Sequence, residues 1–371
     1  MSVTISNKSA GLEKALSPSN KHGLSNFLEA YTVSVPGQPT IHISRPMIDR
    51  ISIIGDVPKS VFGNGDLARR GLKHFQRVFE LALDDEDCKL RKSKGGKSSF
   101  AKGWAKKGEL RAYVKIGSRR TRVEVAIQPL IGLKNKVSAW RLRLEWNPRK
   151  AGLEGFERLR SLLAHHLLLG SEGALEWFQG ARITRLDIAV DVLGVERPSL
   201  FLRLLDQKKV QTYGRWASGI ETTNHKPSEG TKGTGGLSAY DKRQEQLDKR
   251  PDKEPKFGQV SHQRIERRLI ITGGKQPVLG KLAAETDKLA GPMVRLLRDL
   301  PGGPCKTDQQ IVAGAVLWLG WKKMSGSLKG SQLHAWKVMK KHDPAFWDTG
   351  LIWKHWPEAV VEAGLSSVAH S

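Results

Sequence analysis

Hydrophobic and polar positions alternate with a period of two over several segments of the chain, the pattern that is typical of β-strands. An early segment, TIHISRPMIDRISIIGD, concentrates β-branched residues before a Gly-Asp turn. Three later segments, RAYVKIG, TRVEVAIQP and AWRLRLEWNP, alternate in the same way and are separated by Gly, Pro, Lys and Asn. The early segment predicts a strand, and the three later segments predict antiparallel strands of one sheet.

Apolar residues take up helical spacing in LEGFERLRSLLAHHLLLGSEGALEWFQG, which predicts one or two amphipathic helices ending at Gly180. Further helices are expected over 67–83 and in PSLFLRLLDQKKV, starting at Pro198. ARITRLDIAVDVLG, GGLSAYDKR and HQRIERRLIIT predict three more strands, and the Gly-rich stretch 217–236 predicts a mobile loop. We therefore expect an α+β fold, in which an antiparallel β-sheet has helices packed on one face.

This order of elements also divides the chain. Residues 1–38 begin with a polar stretch and are predicted to form a flexible N-terminal arm. Residues 39–275 contain all the predicted strands, and residues 276–371 are predicted to form a smaller, mainly helical C-terminal region.

Charge narrows the range of partners. The chain has 62 Lys and Arg against 37 Asp and Glu, a formal net charge of +25, which favours a polyanion such as nucleic acid. We expect no membrane partner, because no apolar run approaches the roughly 20 residues that span a bilayer. The two cysteines, Cys88 and Cys305, lie far apart and form no zinc-binding motif. A reducing, cytoplasmic environment is expected.

The densest basic segment runs from Lys89 to Arg122, with 13 Lys or Arg and one acid, Glu109. Cations interspersed with aromatic residues suit a groove in which the cations bind phosphates and the aromatic side chains stack on unpaired bases. A solvated loop has much the same composition. The DNA-binding candidates in this segment are Lys92, Lys94, Lys97, Trp104, Lys106, Lys107, Arg119 and Arg120.

Two carboxylates share one face of the strand RLDIAVD, because alternation places Asp187 and Asp191 opposite its aliphatic residues. With an acid from a neighbouring strand, they could hold one hard cation directly or through water. Glu266 is the first choice for that acid and Glu145 the second. The alternative is that both aspartates are solvent-facing acids balanced by arginines.

A tyrosine stands at the end of the strand GGLSAYDKR, with Lys242 two residues after Tyr240. A phenol is a weak nucleophile at neutral pH, since its unperturbed pKa is about 10. A divalent metal and nearby cations would make its attack on a phosphate feasible. The alternative is that Tyr240 only packs or stacks.

The segments MIDRISI, LEWNP, RLDIAVD, AYDK and RIERRL, in that order, resemble the replication initiation factor family. This family comprises the trans-acting Rep proteins of rolling-circle plasmids and the related initiators of filamentous bacteriophages. The resemblance spans residues 46–272 and implies a nickase that forms a 5′-phosphotyrosyl link and leaves a 3′-OH. It implies that Tyr240 is the nucleophile and that Mg²⁺ or Mn²⁺ is held by three acids, Asp187, Asp191 and Glu266. Asp49 matches an early acidic position without an assigned role.

The chain lacks the His-hydrophobic-His pair of many other nickases, so its metal site is expected to consist mainly of carboxylates. His262 is either a surface residue or an additional ligand or base. Arg185, Arg264 and Arg268 are further DNA-binding candidates. Expected partners are single-stranded or cruciform origin DNA, a host helicase and a DNA polymerase, with a homodimer left open. The competing hypothesis is a non-catalytic, sequence-specific DNA-binding regulator or degenerate initiator.

Overall fold

A computed structural model describes fifteen β-strands and six α-helices, which confirms the predicted α+β class. The strands are β1 Thr4–Ser6, β2 Glu29–Ser34, β3 Ile41–Ser44, β4 Met47–Val57, β5 Cys88–Leu90, β6 Leu110–Ile116, β7 Thr121–Ile131, β8 Val137–Trp146, β9 Arg182–Leu193, β10 Leu200–Arg203, β11 Gln211–Gly214, β12 Glu221–Asn224, β13 Gly236–Asp241, β14 His262–Ile270 and β15 Met293–Leu296. The helices are α1 Pro148–His166, α2 Gly170–Gly180, α3 Lys242–Lys249, α4 Thr349–Trp353, α5 Trp356–Glu362 and α6 Ser366–Ala369.

The structure describes residues 4–6, 27–34, 40–57, 88–90, 110–116, 121–131, 137–166, 170–195, 200–203, 211–214, 221–224, 236–290, 293–296, 330 and 347–369. Two compact units divide the chain. Unit 1 comprises residues 1–46, 188–269 and 286–356, and unit 2 comprises residues 47–187, 270–285 and 357–371. The predicted helix over 67–83 lies outside the described residues.

Unit 2 contains the sheet that alternation predicts. The first half of β9 is followed across the sheet by β4, β8, β7, β6 and β5. The β6–β7, β7–β8 and β4–β8 pairs are all antiparallel, with Ile53 opposite Leu144 and Val125 opposite that same leucine. The three alternating segments are therefore neighbouring strands, as predicted.

Helices α1 and α2 cover one face of this sheet and contact each other through Phe156 and Phe178, whose ring centroids are 4.9 Å apart. Gly55 of β4 lets the Trp177 ring approach the strand closely, because a Cβ there would lie 2.5 Å from its Nε1. The predicted helical segment is thus two helices, and α1 is broken at Gly152, whose φ is 63°. Within the part of the chain that the structure describes, no helix has the length and apolar content needed to cross a membrane.

Asp49 has a structural role at the start of α1. Its carboxylate accepts a hydrogen bond from Asn147 Nδ2 at 3.1 Å, and Asn147 Oδ1 accepts one from the Lys150 N–H at 2.9 Å. The asparagine therefore caps the helix that begins at Pro148, and Asp49 orients its amide.

Replacing Asn147 with Ala is expected to lower the free energy of unfolding by about 1 kcal/mol, because an N-terminal helix cap is lost. Replacing Asp49 with Ala should cost less, since its hydrogen bond orients the capping amide but does not itself cap the helix. Urea denaturation followed by circular dichroism measures both. Equal losses in the two variants would contradict this ranking.

Unit 1 contains β1, β2, β3 and the second half of β9, in that order across the sheet, and β14 pairs with both β9 and β13. Strand β2 lies within the stretch expected to be a flexible arm. It forms because Tyr31 and Val33 are fully buried, with their backbone paired to Ile43 and Ile41 of β3. Burial of alternate apolar side chains outweighs the polar composition of the residues that precede them.

Other short elements differ from the predictions. Residues 200–203, expected to be helical, form β10, which pairs with β15 inside the region predicted to be mainly helical. Residues 221–224, expected to be part of a mobile loop, form β12, which pairs with β11. In both cases the backbone pairs with a segment that local periodicity does not reveal. The described C-terminal elements after residue 346 are helical, as predicted.

Candidate functional site

Tyr240 lies at the end of β13, in the hairpin that β13 forms with β14 in unit 1. Tyr240 is opposite Arg264 and Ser238 is opposite Glu266, so all four side chains share one face of the hairpin. On this face the Tyr240 hydroxyl donates a hydrogen bond of 2.6 Å to Glu266 Oε1. A potential nucleophile and a potential proton acceptor are therefore in direct contact.

Helix α3 brings a cation to the same phenol. Asp241 caps this helix by accepting a hydrogen bond from the Gln244 N–H, and Lys242 is the first helical residue. Lys242 Nζ lies 3.5 Å from the Tyr240 oxygen and 5.3 Å from the centroid of its ring. The predicted proximity of Lys242 to Tyr240 arises from a strand-to-helix junction, whereas the sequence had suggested an extended strand.

Glu245 holds that lysine in place and was not recognised from the sequence. Its carboxylate accepts hydrogen bonds from Lys242 and from Lys249, one turn further along α3. Burial raises the pKa of Glu245, but these two lysines outweigh burial and lower the pKa overall. Glu245 therefore stays ionised beside Lys242. The signal that could have revealed this helix is Asp241 followed three residues later by Gln244, a capping-box pattern.

The site opposes ionisation of the phenol in the resting state. Burial, followed by the nearby Glu266 carboxylate, raises the pKa of Tyr240 far above its ordinary value. Burial and the nearby Arg264 lower the pKa of Lys242. Tyr240 is therefore protonated at neutral pH, and an attack by its oxygen requires transfer of the proton during the reaction.

Asp191 is buried against the same hairpin. Its two carboxylate oxygens accept hydrogen bonds from Arg264 Nε at 2.6 Å and Nη2 at 2.9 Å. His262 Nε2 lies 3.3 Å from Asp191 Oδ1. Burial raises the pKa of Asp191, but Arg264 and His262 outweigh burial and hold the pKa well below its ordinary range.

His262 is not a surface residue, which corrects that interpretation. It is 2% exposed, and its ring packs edge-on against Phe257 at a centroid distance of 4.9 Å. Phe257 belongs to an apolar cluster with Leu193, Phe27 and Val260. The polar sequence around His262 conceals this burial, because the cluster is assembled from separate segments.

Asp187 belongs to unit 2, where its carboxylate is engaged by Arg185. The Arg185 Nε lies 2.9 Å from Asp187 Oδ1 and its Nη2 lies 2.5 Å from Oδ2. Arg185 also reaches Glu145, at 3.4 Å. Asp187 and Asp191 are only 4% and 5% exposed, so the alternative that they are solvent-facing acids is wrong, although arginines do balance both of them.

These contacts do not fit one metal ion held by Asp187, Asp191 and Glu266. Each carboxylate already accepts hydrogen bonds, from Arg185, Arg264 and Tyr240 respectively. Asp187 and Asp191 are also four positions apart on the same strand, which corresponds to about 13 Å along it. Among the described residues, no group of three or more His, Cys, Asp or Glu could hold a metal ion.

The predicted DNA-binding residues fall into two groups. Arg185 and Arg264 are largely buried in ion pairs, and Arg268 of β14 is exposed. The candidates of the basic segment lie outside the described residues: Lys92, Lys94, Lys97, Trp104, Lys106, Lys107, Arg119 and Arg120. DNA binding by either group stays a prediction.

No protein-family model matches the chain, and no curated protein matches it. Among solved structures, the chain is similar to the rolling circle replication initiator protein from Geobacillus stearothermophilus, with 14% sequence identity and a TM-score of 0.28. The match covers 80% of this chain and 97% of that protein. A similarity at this level assigns neither a family nor an activity to the chain.

Proposed function

We propose that this protein initiates rolling-circle replication by nicking one strand of origin DNA, with Tyr240 as the nucleophile. The observation that carries the proposal is the hydrogen bond of 2.6 Å from the Tyr240 hydroxyl to Glu266. Glu266 is placed to accept the phenolic proton, and the net charge of +25 favours a DNA substrate.

The proposed reaction is a transesterification. The Tyr240 oxygen attacks a backbone phosphorus, and the phenolic proton passes to Glu266. The bond between that phosphorus and the 3′ oxygen of the neighbouring nucleotide breaks. The departing 3′ oxygen takes up a proton from the solvent, and Glu266 releases its proton to the solvent, so that no net proton is gained or lost. The products are a 5′-phosphotyrosyl link to the protein and a free 3′-OH, and the reverse reaction rejoins the strand.

Lys242 provides positive charge for this reaction. Its ammonium group, held by Glu245 and lying 3.5 Å from the phenol, is placed to stabilise charge on the phosphate oxygens. Arg264 lies opposite Tyr240 but is bound to the buried Asp191, so we assign it the role of positioning the hairpin.

The predicted Mg²⁺ or Mn²⁺ remains a proposal without assigned ligands. A divalent ion would supply Lewis-acid polarisation of the phosphate when bound. Because Asp187, Asp191 and Glu266 do not fit one shared site, we derive no step through the ion. The free 3′-OH would prime synthesis by a host polymerase after a host helicase opens the duplex. The proposal is compatible with either a monomer or a homodimer.

The proposal predicts a covalent adduct at Tyr240. Wild-type protein is incubated with single-stranded origin oligonucleotide, with Mg²⁺, with Mn²⁺ and with a chelator in parallel. Denaturing gels should reveal a protein–DNA adduct, and mass spectrometry of its peptides should place the nucleotide on Tyr240. An adduct on another residue would rule out Tyr240 as the nucleophile, and the chelator arm tests the metal separately.

A binding-only function is the alternative, and one observation favours it. The hydrogen bond from Tyr240 to Glu266 is as compatible with a tyrosine that only stabilises the hairpin as with a nucleophile beside its base. Burial also raises the pKa of Tyr240, which opposes its ionisation. In that case the protein would shift the mobility of origin DNA without forming an adduct under any metal condition.

A further inference from the structure

The sheet of unit 2 has two unlike faces. On one face, Trp140, Leu142, Leu144 and Trp146 of β8 are buried. The helices lie on this face, as shown by the contact of Trp177 with Gly55 of β4. On the other face, the alternate residues of β8 are Arg141, Arg143 and Glu145.

We call this second face the charged face and define it by the described side chains on it. Register places Arg141 opposite Asp56, Arg143 opposite Ile54, and Arg122 opposite Lys115. Five of its six basic residues are arginines, and four acids accompany them. The basic residues are Arg50, Lys115, Arg122, Arg141, Arg143 and Arg185, and the acids are Asp56, Glu124, Glu145 and Asp187.

A buried carboxylate organises three of these arginines. Glu145 is 5% exposed, and its oxygens lie 3.3 Å from Arg50, 3.3 Å from Arg143 and 3.4 Å from Arg185. Arg143 also donates to Ser52 at 2.9 Å. One carboxylate therefore holds three guanidinium groups together, so their conformations are largely set before any ligand arrives.

Arg50 is the most accessible of the three, because its side chain is 46% exposed while Arg143 and Arg185 are 15% and 11% exposed. Arg122 and part of Arg141 also reach the solvent. Neighbouring strands are about 4.8 Å apart. The accessible cations thus lie on adjacent strands of one surface and could contact successive charges of an extended polyanion.

We propose that the charged face binds the phosphate backbone of DNA, with Arg50 and Arg122 as its outermost contacts. This inference rests on the proposed function and assigns it a binding surface within unit 2. Planar guanidinium groups suit phosphate oxygens, which they bind with two parallel hydrogen bonds. A protein partner or a lipid surface would require an apolar centre, whereas the charged face carries charged side chains on five neighbouring strands.

The test uses full-length protein and a fluorescent single-stranded oligonucleotide of mixed sequence that lacks the origin, so that cleavage does not interfere. Fluorescence anisotropy gives the dissociation constant over a series of KCl concentrations. Arg50→Ala should weaken binding several-fold and reduce the slope of log affinity against log salt by about 0.7, the value for one lost phosphate contact on a single strand. Arg158→Ala is the matched control, because Arg158 is an exposed arginine on α1.

A second variant separates loss of contact from damage to the fold. Asp56 is 53% exposed on the charged face and pairs with Arg141. Asp56→Asn should strengthen binding, because it removes an acid that repels phosphate, whereas a damaged fold would weaken it. Equal behaviour of Arg50→Ala and Arg158→Ala, or weaker binding by Asp56→Asn, overturns the charged face as the binding surface. If wild-type protein binds neither this oligonucleotide nor one that carries the origin, the proposed function fails as well.

Discussion

Replacing Tyr240 with Phe is expected to abolish strand cleavage and the covalent adduct while leaving DNA binding within about twofold of wild type. The substitution removes one oxygen, which in the proposed reaction forms the bond to phosphorus. It also removes the hydrogen bond to Glu266, worth about 1.5–3 kcal/mol because the acceptor is a carboxylate. Relaxation of supercoiled origin plasmid measures cleavage, and a gel shift with the same DNA measures binding.

Two variants serve as controls for Tyr240→Phe. Tyr31 is a fully buried tyrosine of unit 1 whose oxygen accepts a hydrogen bond from the Asp348 N–H, so Tyr31→Phe should lower stability slightly and leave cleavage intact. Glu266→Gln retains a hydrogen-bond acceptor but is a poor base, and should slow cleavage by about 10²- to 10⁴-fold. Unchanged cleavage in Tyr240→Phe would refute the assignment of the nucleophile. Unchanged cleavage in Glu266→Gln would refute only the assignment of the base.

Replacing Arg264 with Ala is expected to lower the free energy of unfolding by about 3–5 kcal/mol. The reason is that Asp191 is buried and accepts two hydrogen bonds from this guanidinium group, so its charge would be left without its main partner. Urea denaturation measures the loss. Arg268→Ala is the matched control on the same strand, since Arg268 is exposed and surface changes usually cost within about 0.5 kcal/mol. Similar losses in the two variants would contradict the importance of the buried pair.

The same pair should make wild-type stability depend on pH in the acid range. The pKa of Asp191 is held well below its ordinary value in the folded protein, whereas an unfolded aspartate has a pKa of about 3.9. The unfolded state therefore binds more protons between these two values, and stability falls as pH falls through them. At higher pH the full contribution of Asp191 is present. In Arg264→Ala, the loss of stability below about pH 4 should be smaller, which urea denaturation at a series of pH values measures.

Much of the sheet could be predicted from local patterns, because strand alternation directly records which face is buried. Leu142, Leu144 and Trp146 alternate with Arg141, Arg143 and Glu145 as expected, and the apolar face of β8 is the one on which the helices pack. Helix α3 was overlooked because its residues are nearly all polar and none is buried, so it has no apolar periodicity. Strands β10 and β12 were overlooked because their partners, β15 and β11, provide backbone pairing that side-chain patterns do not record.

The sequence predicted which residues form the candidate site better than it predicted the role of each residue. Tyr240, Lys242 and Glu266 were recognised from the sequence, and the structure brings all three together. Glu266 had been expected as a metal ligand, whereas it accepts the phenolic hydrogen bond. Asp191 had been expected as another ligand, whereas it binds Arg264. Residue type indicates which side chains can be charged, but the neighbour that satisfies each charge depends on the register between strands.

The sequence by itself therefore determined the α+β class, the positions of the main strands and the excess of positive charge, because these follow from composition and from periodicity along the chain. Only the tertiary structure decided that the acids are engaged by arginines and a tyrosine, that His262 is buried, and that Glu145 gathers three arginines. These contacts join residues far apart in sequence, and a buried charge is stable only with a partner in the folded chain.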